Sequence, residues 1–260
     1  MEYEFLTYQI ESGVANVTLN RPEVYNALNN ELTFELQSVF KTIGKDDQVR
    51  VVVLTGAGKA FCSGQDLKSA STDERRSFSE SLHKRYNPLI SLMRNLPKPI
   101  IAKVNGVAAG AGCSLVLACD LVVMAEAAFL VEVFVNIGLV LDSGSSYFLP
   151  RIVGSTKAFE LATMGSRVYG PEAKLLGLAS DSVPAEQLDQ AIEKYSSYYA
   201  KAPTKAIGLI KKMLNKSGNS SLQEMLTYEA YSQEIAGSSS DYTEGVAAFL
   251  EKRQANFKGK

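Results

Sequence analysis

The sequence predicts an α/β protein, and two observations carry that expectation. Three short runs, 51–54, 100–104 and 121–124, are apolar at nearly every position, the pattern of strands whose sheet is covered on both faces. Helical patterns fill the intervals between them, so strand and helix alternate.

The elements follow in order from local pattern. Residues 3–10 and 14–19 alternate β-branched or aromatic residues with polar ones around Glu11, Ser12 and Gly13, which predicts a hairpin. After the loop RPEVYNALN, Asn30 opens an amphipathic helix that ends near Gly44 and places Leu32, Phe34, Leu36, Val39 and Phe40 on one face. A long polar helix separates strand 51–54 from strand 100–104, and a Gly/Ala-rich helix leads to strand 121–124. A shorter strand starts at Phe129. From about Ser155 the pattern turns helical, over 156–164, 171–176, 186–202, 203–215, 222–236 and 242–257, with one strand at 179–183. No low-complexity linker or internal repeat interrupts the chain. Residues 1–200 are therefore expected to form a core and 201–260 a helical region of the same domain, its many charges, Lys211 among them, on solvated faces.

Composition narrows the function. A chain of 260 residues with 46% hydrophobic content can bury a sizeable core. A formal charge of −1 with no polybasic run gives no electrostatic footprint for nucleic acid or a membrane surface. The apolar stretches are too short to span a bilayer, and MEYEFLTYQ is not a basic region followed by an apolar one. Cys62, Cys113 and Cys119 form no CxxC pair and are too few for a disulfide framework, so a cytoplasmic location is expected. With His83 as the single histidine, a His-based zinc site is not expected.

Three segments carry candidate chemistry. In FVNIGLVLDSGSSYFLPRIVG, residues 134–154, one carboxylate, Asp142, lies in an apolar run ahead of a Ser/Gly turn and a helix. Desolvation by Val135, Ile137, Leu139, Val140 and Leu141 would raise its pKa and suit a proton shuttle; alternatively, Asp142 caps the following helix. The loop 55–68, TGAGKAFCSGQDLK, lacks the third glycine of GxGxxG, and Lys59 is not in a phosphate-loop frame. The loop 105–120, NGVAAGAGCSLVLACD, sets Gly106, Gly110 and Gly112 before a helix. Such glycines let a ligand oxygen approach main-chain N–H groups, or simply permit tight packing.

Taken together, RPEVYNALN, VVVLTGAGKAFCSGQDLK, KPIIAKVNGVAAGAGCSLVLACD, the Asp142 block and the ending FLEKRQANFK resemble the enoyl-CoA hydratase/isomerase, or crotonase, superfamily over nearly the whole chain. The resemblance implies a ClpP/crotonase-like spiral of ββα units with a C-terminal helical trimerisation region, a homotrimer or dimer of trimers, and an acyl-CoA thioester substrate. CoA is then part of the substrate, and no other cofactor is implied. By position, the oxyanion hole falls on the main-chain N–H groups of Gln65 and Ala111. Val24 and the segment Ala60, Ser63, Gly64 fall along the CoA moiety, and Lys252 or Lys258 of the last helix would reach a CoA phosphate across a subunit boundary.

Hydratases of this family are expected to carry two glutamates over the thioester, but those positions hold Ser114 and Phe134 here. Glu132 could substitute if it shared a strand face with Phe134. Asp142 instead falls where the resemblance places the single catalytic aspartate of isomerases such as ring-1,2-epoxyphenylacetyl-CoA isomerase, with Phe134, Tyr147 and Phe148 available to shape an acyl pocket. The expected activity is double-bond isomerisation of an enoyl-CoA thioester, with hydration as the alternative. A 4-chlorobenzoyl-CoA dehalogenase-like nucleophile needs a histidine, and His83 reads as a surface residue on a polar face with Glu80, Lys84 and Arg85. Ser114 lacks a GxSxG elbow for hydrolase chemistry. Cys62 and Cys113 read as small buried residues, and a non-catalytic acyl-CoA-binding module is the remaining alternative.

Overall fold

The computed structural model describes residues 3–68 and 77–260. Among the described residues, ten strands form two sheets. In the larger, β1 (Leu6–Glu11) and β2 (Val14–Leu19) make the expected hairpin. Its turn is Ser12-Gly13, with φ of 50° and 84°; two consecutive left-handed residues match the twist of the flanking strands. To β2 are added, all in parallel, β3 (Val51–Gly56), β5 (Ile100–Val104), β7 (Leu121–Ala125) and β10 (Asp181–Val183). The smaller sheet contains β4 (Ala60–Cys62), β6 (Val107–Ala109), β8 (Phe129–Val131) and β9 (Val168–Tyr169) in that order.

The chain therefore alternates between sheets, sending β3, β5 and β7 to the large one and β4, β6 and β8 to the small one. A helical segment follows each pair, and this repeat is the expected ββα spiral. Strands β4 and β6 lie inside segments read from sequence as glycine loops, because three residues are too short to show a period of two, whereas β8 is the expected strand from Phe129.

Helix α1 (Asn30–Lys45) is capped by Asn29, whose side chain accepts the Leu32 N–H at 2.9 Å. It buries Leu32, Leu36, Val39, Phe40 and Ile43. Phe34, expected on that face, is 47% exposed, since two residues from Leu32 a helix has turned most of the way to its other side. Part of the predicted long polar helix falls on residues 69–76, outside the described residues. Its remainder is α2 (Phe78–Ser81), a π turn over Leu82–Tyr86, and α3 (Asn87–Asn95). The Gly/Ala-rich helix is α4 (Ala111–Leu117). Helix α5 (Ser145–Met164) joins the helix expected after the Ser/Gly turn to the predicted 156–164, with Gly154 (φ 77°, ψ 163°) kinking it between them.

After α6 (Gly170–Leu175), the helices α7 (Leu188–Lys201), α8 (Thr204–Ser217), α9 (Leu222–Gly237) and α10 (Ser240–Glu251) complete the chain. The last ends short of the expected 257 because Lys252 adopts a left-handed φ of 54°. Lys211, expected on a solvated face, is buried instead. Its ammonium donates to Asp120 at 2.7 Å and to the carbonyls of Met93 and Lys98. All three donors are thereby satisfied, which is the condition for burying an ammonium, and α8 is fastened to the spiral. No described helix is long and apolar enough to cross a membrane.

Candidate active site

Two short strands bring the proposed oxyanion donors together. Gly64, just after β4, has φ 95°, and a Cβ there would lie 2.8 Å from the Ala109 carbonyl and 3.6 Å from the Ala111 nitrogen. Only glycine permits that approach. Leu28 bridges to Gln65 in parallel, its N–H donating to Gly64 C=O and its carbonyl accepting from Asp66 N–H. In a parallel bridge the central residue's own N–H points the other way, so the Gln65 N–H faces away from Leu28. Ala111 is the first residue of α4, a position whose N–H has no acceptor within the helix. Gly112 lets α4 sit against β4, since a Cβ there would be 2.3 Å from the Cys62 carbonyl.

Side chains hold the Gln65 loop in place. Its Oε1 accepts from the Tyr86 hydroxyl, and Asp66 pairs with Arg21 at 3.1 Å. Arg85, expected on a polar face, is 3% exposed and donates to Leu28 C=O, Thr33 Oγ1 and Tyr86 Oη. The π turn accounts for this, since five residues per hydrogen-bonded turn shift the register and swing Arg85 and Tyr86 inward. Sequence periodicity built on 3.6 residues does not register such a shift, and both residues escaped it. His83 stays exposed on the same turn.

The loop that joins β2 to α1 meets the β4 segment at Ser63, whose N–H donates to Tyr25 C=O and whose hydroxyl donates to Val24 C=O at 3.2 Å. Val24, Ser63 and Gly64 are thus contiguous. Ala60 differs: it is fully buried and its carbonyl is taken by Asn26 and Asn105, so it supports this loop from beneath. Lys252 and Lys258 are exposed. Lys258 lies beyond the last helix, with Nζ on Asn256 Oδ1.

Asp142 lies on the loop before α5, against the start of α4. The Ser114 hydroxyl is 3.2 Å from both the Gly110 and the Asp142 carbonyl oxygens. The cap of α5 is Gly144, with no capping side chain, so the helix-cap reading of Asp142 does not hold. The Asp142 carboxylate instead accepts from Ser143 Oγ at 2.8 Å. Burial raises its pKa and the Ser143 bond opposes part of that rise. Of the apolar run ahead of it, Val135, Ile137 and Val140 are 40%, 56% and 83% exposed and so contribute little, while Leu139 and Leu141 are half-buried.

Phe134 and Glu132 do not share a face. The Phe134 ring lies over Gly110, whereas Glu132 is sealed at 3% exposure with Oε1 accepting from Ser145 Oγ at 2.9 Å. Burial is the main cause that pushes the Glu132 carboxyl up to about 7, with a smaller rise from nearby Asp142. Tyr147 stacks on Arg151 at 3.6 Å, and Phe148 lines a cavity of about 430 Å³ with Arg94, Tyr199 and Lys211. That cavity includes none of Gln65, Ala111 or Asp142; of the three aromatics considered, Phe134 packs against Gly110, next to Ala111, and Phe148 against Gly144 on the Asp142 turn. Cys62 and Cys113 are buried thiols, Cys62 pushed up to about 12 by burial and Cys113 also raised; neither is an activated nucleophile.

Comparisons with known proteins place the chain in a family. The family model for enoyl-CoA hydratase/isomerase matches residues 9–260. The chain is 40% identical to 1,2-epoxyphenylacetyl-CoA isomerase of Escherichia coli (strain K12), covering 99% of each, and 38% identical over full length to a protein of Rhodobacter capsulatus named as a probable enoyl-CoA hydratase. The enoyl-CoA hydratase structure of Mycobacterium smegmatis superposes with a TM-score of 0.92 at 34% identity, covering 98% of this chain and 99% of that one. With its ββα spiral, its glycine-lined pair of main-chain donors and a match that runs the length of the chain, the protein belongs to the enoyl-CoA hydratase/isomerase family and is an acyl-CoA-processing enzyme of the crotonase fold.

Proposed function

We propose that the protein moves a double bond within an enoyl-CoA thioester, using Asp142 as its single proton carrier. The observation that carries this reading is the distribution of acids. The two positions expected to hold hydratase glutamates are Ser114, fully buried and bonded to main chain, and Phe134, while Asp142 is a half-exposed carboxylate on the loop that meets α4.

The steps follow from these groups. The thioester oxygen accepts from Gln65 N–H and Ala111 N–H, which strengthens as negative charge develops. The Asp142 carboxylate removes a proton from C2 of a 3-enoyl thioester, giving a dienolate held by those donors. The protonated Asp142 then delivers the same proton to C4, and the double bond settles between C2 and C3. Proton and charge both balance, with no water consumed. Val24, Ser63 and Gly64 would border the CoA moiety. Lys252 and Lys258 would serve its phosphates only from a neighbouring copy.

Hydration is the second reading, favoured by the presence of a further acid, Glu132, whose pKa is near neutrality. Its sealed position and its bond to Ser145 weigh against direct contact with substrate. The experiment is turnover of 3-hexenoyl-CoA and 2-hexenoyl-CoA in D₂O by the wild type and Asp142→Asn, followed by ultraviolet absorbance and mass spectrometry. Isomerisation of the 3-enoyl substrate, lost in the variant with acyl-CoA affinity retained, is expected. Water addition to the 2-enoyl substrate that survives Asp142→Asn would replace this reading with a hydratase.

A further inference from the structure

We propose that Glu132 is a positioning residue of this site, acting through Ser145 and Ser114 to fix the Asp142 main chain relative to the oxyanion turn. The inference rests on the isomerase reading above. Its physical basis is one continuous set of buried contacts: Glu132 Oε1 to Ser145 Oγ at 2.9 Å, Ser145 Oγ to Ser114 Oγ at 2.8 Å, and Ser114 Oγ to the carbonyls of Asp142 and Gly110 at 3.2 Å each. Ser114 and Ser145 are fully buried and Glu132 nearly so. Asp142 carries the proton and Gly110 directly precedes Ala111, so a single hydroxyl touches the backbone of both halves of the site.

Proton counting gives the chain a direction. Each serine has one proton to donate. With Glu132 neutral, its O–H donates to Ser145 Oγ, Ser145 donates to Ser114 Oγ, and the Ser114 proton is left for the two carbonyls. With Glu132 ionised, Ser145 must donate to the carboxylate. Ser114 can then donate to Ser145 instead, and the clamp on Asp142 and Gly110 is no longer enforced. Burial favours the neutral form and outweighs the Ser145 and Cys113 hydrogen bonds, which favour the ionised one. Glu132 Oε2 has no partner of hydrogen-bond geometry, and a buried oxygen without one is more costly on a carboxylate than on an acid. The groups facing the carboxyl are the Cys113 thiol from α4, the Ser145 hydroxyl from α5 and the Asp142 carboxylate from the loop. The remaining lining is apolar apart from Ser166, and the adjoining void of about 10 Å³ holds no more than one water. Glu132 is sealed from solvent, which separates positioning from catalysis.

The test measures kcat and KM for 3-hexenoyl-CoA between about pH 5 and pH 9 for the wild type, Glu132→Gln, Glu132→Leu and Ser145→Ala. In the wild type, kcat falls about tenfold as Glu132 ionises, a size set by one positioning hydrogen bond. Glu132→Gln keeps the acid-side kcat and loses that alkaline fall, because its amide N–H donates to Ser145 at every pH. Glu132→Leu and Ser145→Ala lower kcat about tenfold throughout with KM nearly constant; the serine variant serves if the leucine variant does not fold. Amide hydrogen exchange at residues 110–114 and 143–145 rises in both. Unchanged kcat and exchange in Ser145→Ala, or an alkaline fall that persists in Glu132→Gln, overturns the proposal. Full turnover by Asp142→Asn overturns the isomerase reading instead, and the exchange result then decides the clamp on its own.

Discussion

Asp142 and Glu132 are neighbouring acids, both pushed toward the neutral form chiefly by burial, yet the chain gives them opposite access. Asp142 stands on a turn whose next residue, Ser143, is held at φ 52° and bonds back to its carboxylate. Glu132 follows β8 directly and is enclosed between α4 and α5, with Ser145 and Cys113 as its polar neighbours. The difference teaches that a raised pKa alone does not identify the proton carrier of a site. A group must also be accessible, and of these two acids Asp142 is half-buried whereas Glu132 is sealed.

The largest effect that can break this comparison is Asp142→Asn, expected to lower kcat roughly 10³-fold, as loss of a general acid–base group does. Calorimetric binding of an unreactive acyl-CoA should be nearly unchanged. If Glu132→Gln had the larger effect, the roles assigned to the two acids would be reversed. Gly64→Ala comes next. Its Cβ would strike the Ala109 carbonyl and displace the Gln65 N–H, and loss of one such donor costs about 3 kcal/mol in the transition state, or about 10² in kcat.

Stability gives a sharper separation. The Glu132 pKa of about 7 exceeds the ordinary 4.5, so the folded protein binds more protons than the unfolded chain between these values. Its contribution is fully present below about 4.5 and is lost as pH rises through about 7, a swing of about 3 kcal/mol. Relative to the wild type, Glu132→Gln should therefore gain stability with pH across that window, measured as the difference in denaturation midpoints. A constant difference would show that Glu132 is not desolvated. The smallest effect is at Ser143. Replacing it with glycine keeps the left-handed backbone and removes the bond that lowers the Asp142 pKa. The acid limb of kcat/KM should move to higher pH, whereas an unmoved limb would assign it to another group.

The candidate site and the fold were partly legible in the chain. Gly64, Gln65, Gly110, Ala111 and Asp142 stand in segments whose resemblance to the family extends over contiguous motifs, and the strands 51–54, 100–104 and 121–124 announced themselves by continuous apolar character. Less visible was what depends on short or irregular structure. Strands β4 and β6 have too few residues for periodicity, and the π turn placed Arg85 and Tyr86 in the interior against the helical pattern. Exposure of Val135, Ile137 and Val140 was also hidden, because an apolar run reads as buried whether or not the fold covers it.

Sequence alone determined the α/β spiral and the family, since both depend on the order of apolar runs and glycine turns along the chain. It also excluded an acid from Ser114 and Phe134, a matter of identity. Tertiary structure decided which of the two remaining acids stays accessible and which is enclosed. Glu132 and Asp142 are ten residues apart, and their accessibility depends on α4 and α5 packing over β8, a three-dimensional arrangement that the local pattern around either acid does not record.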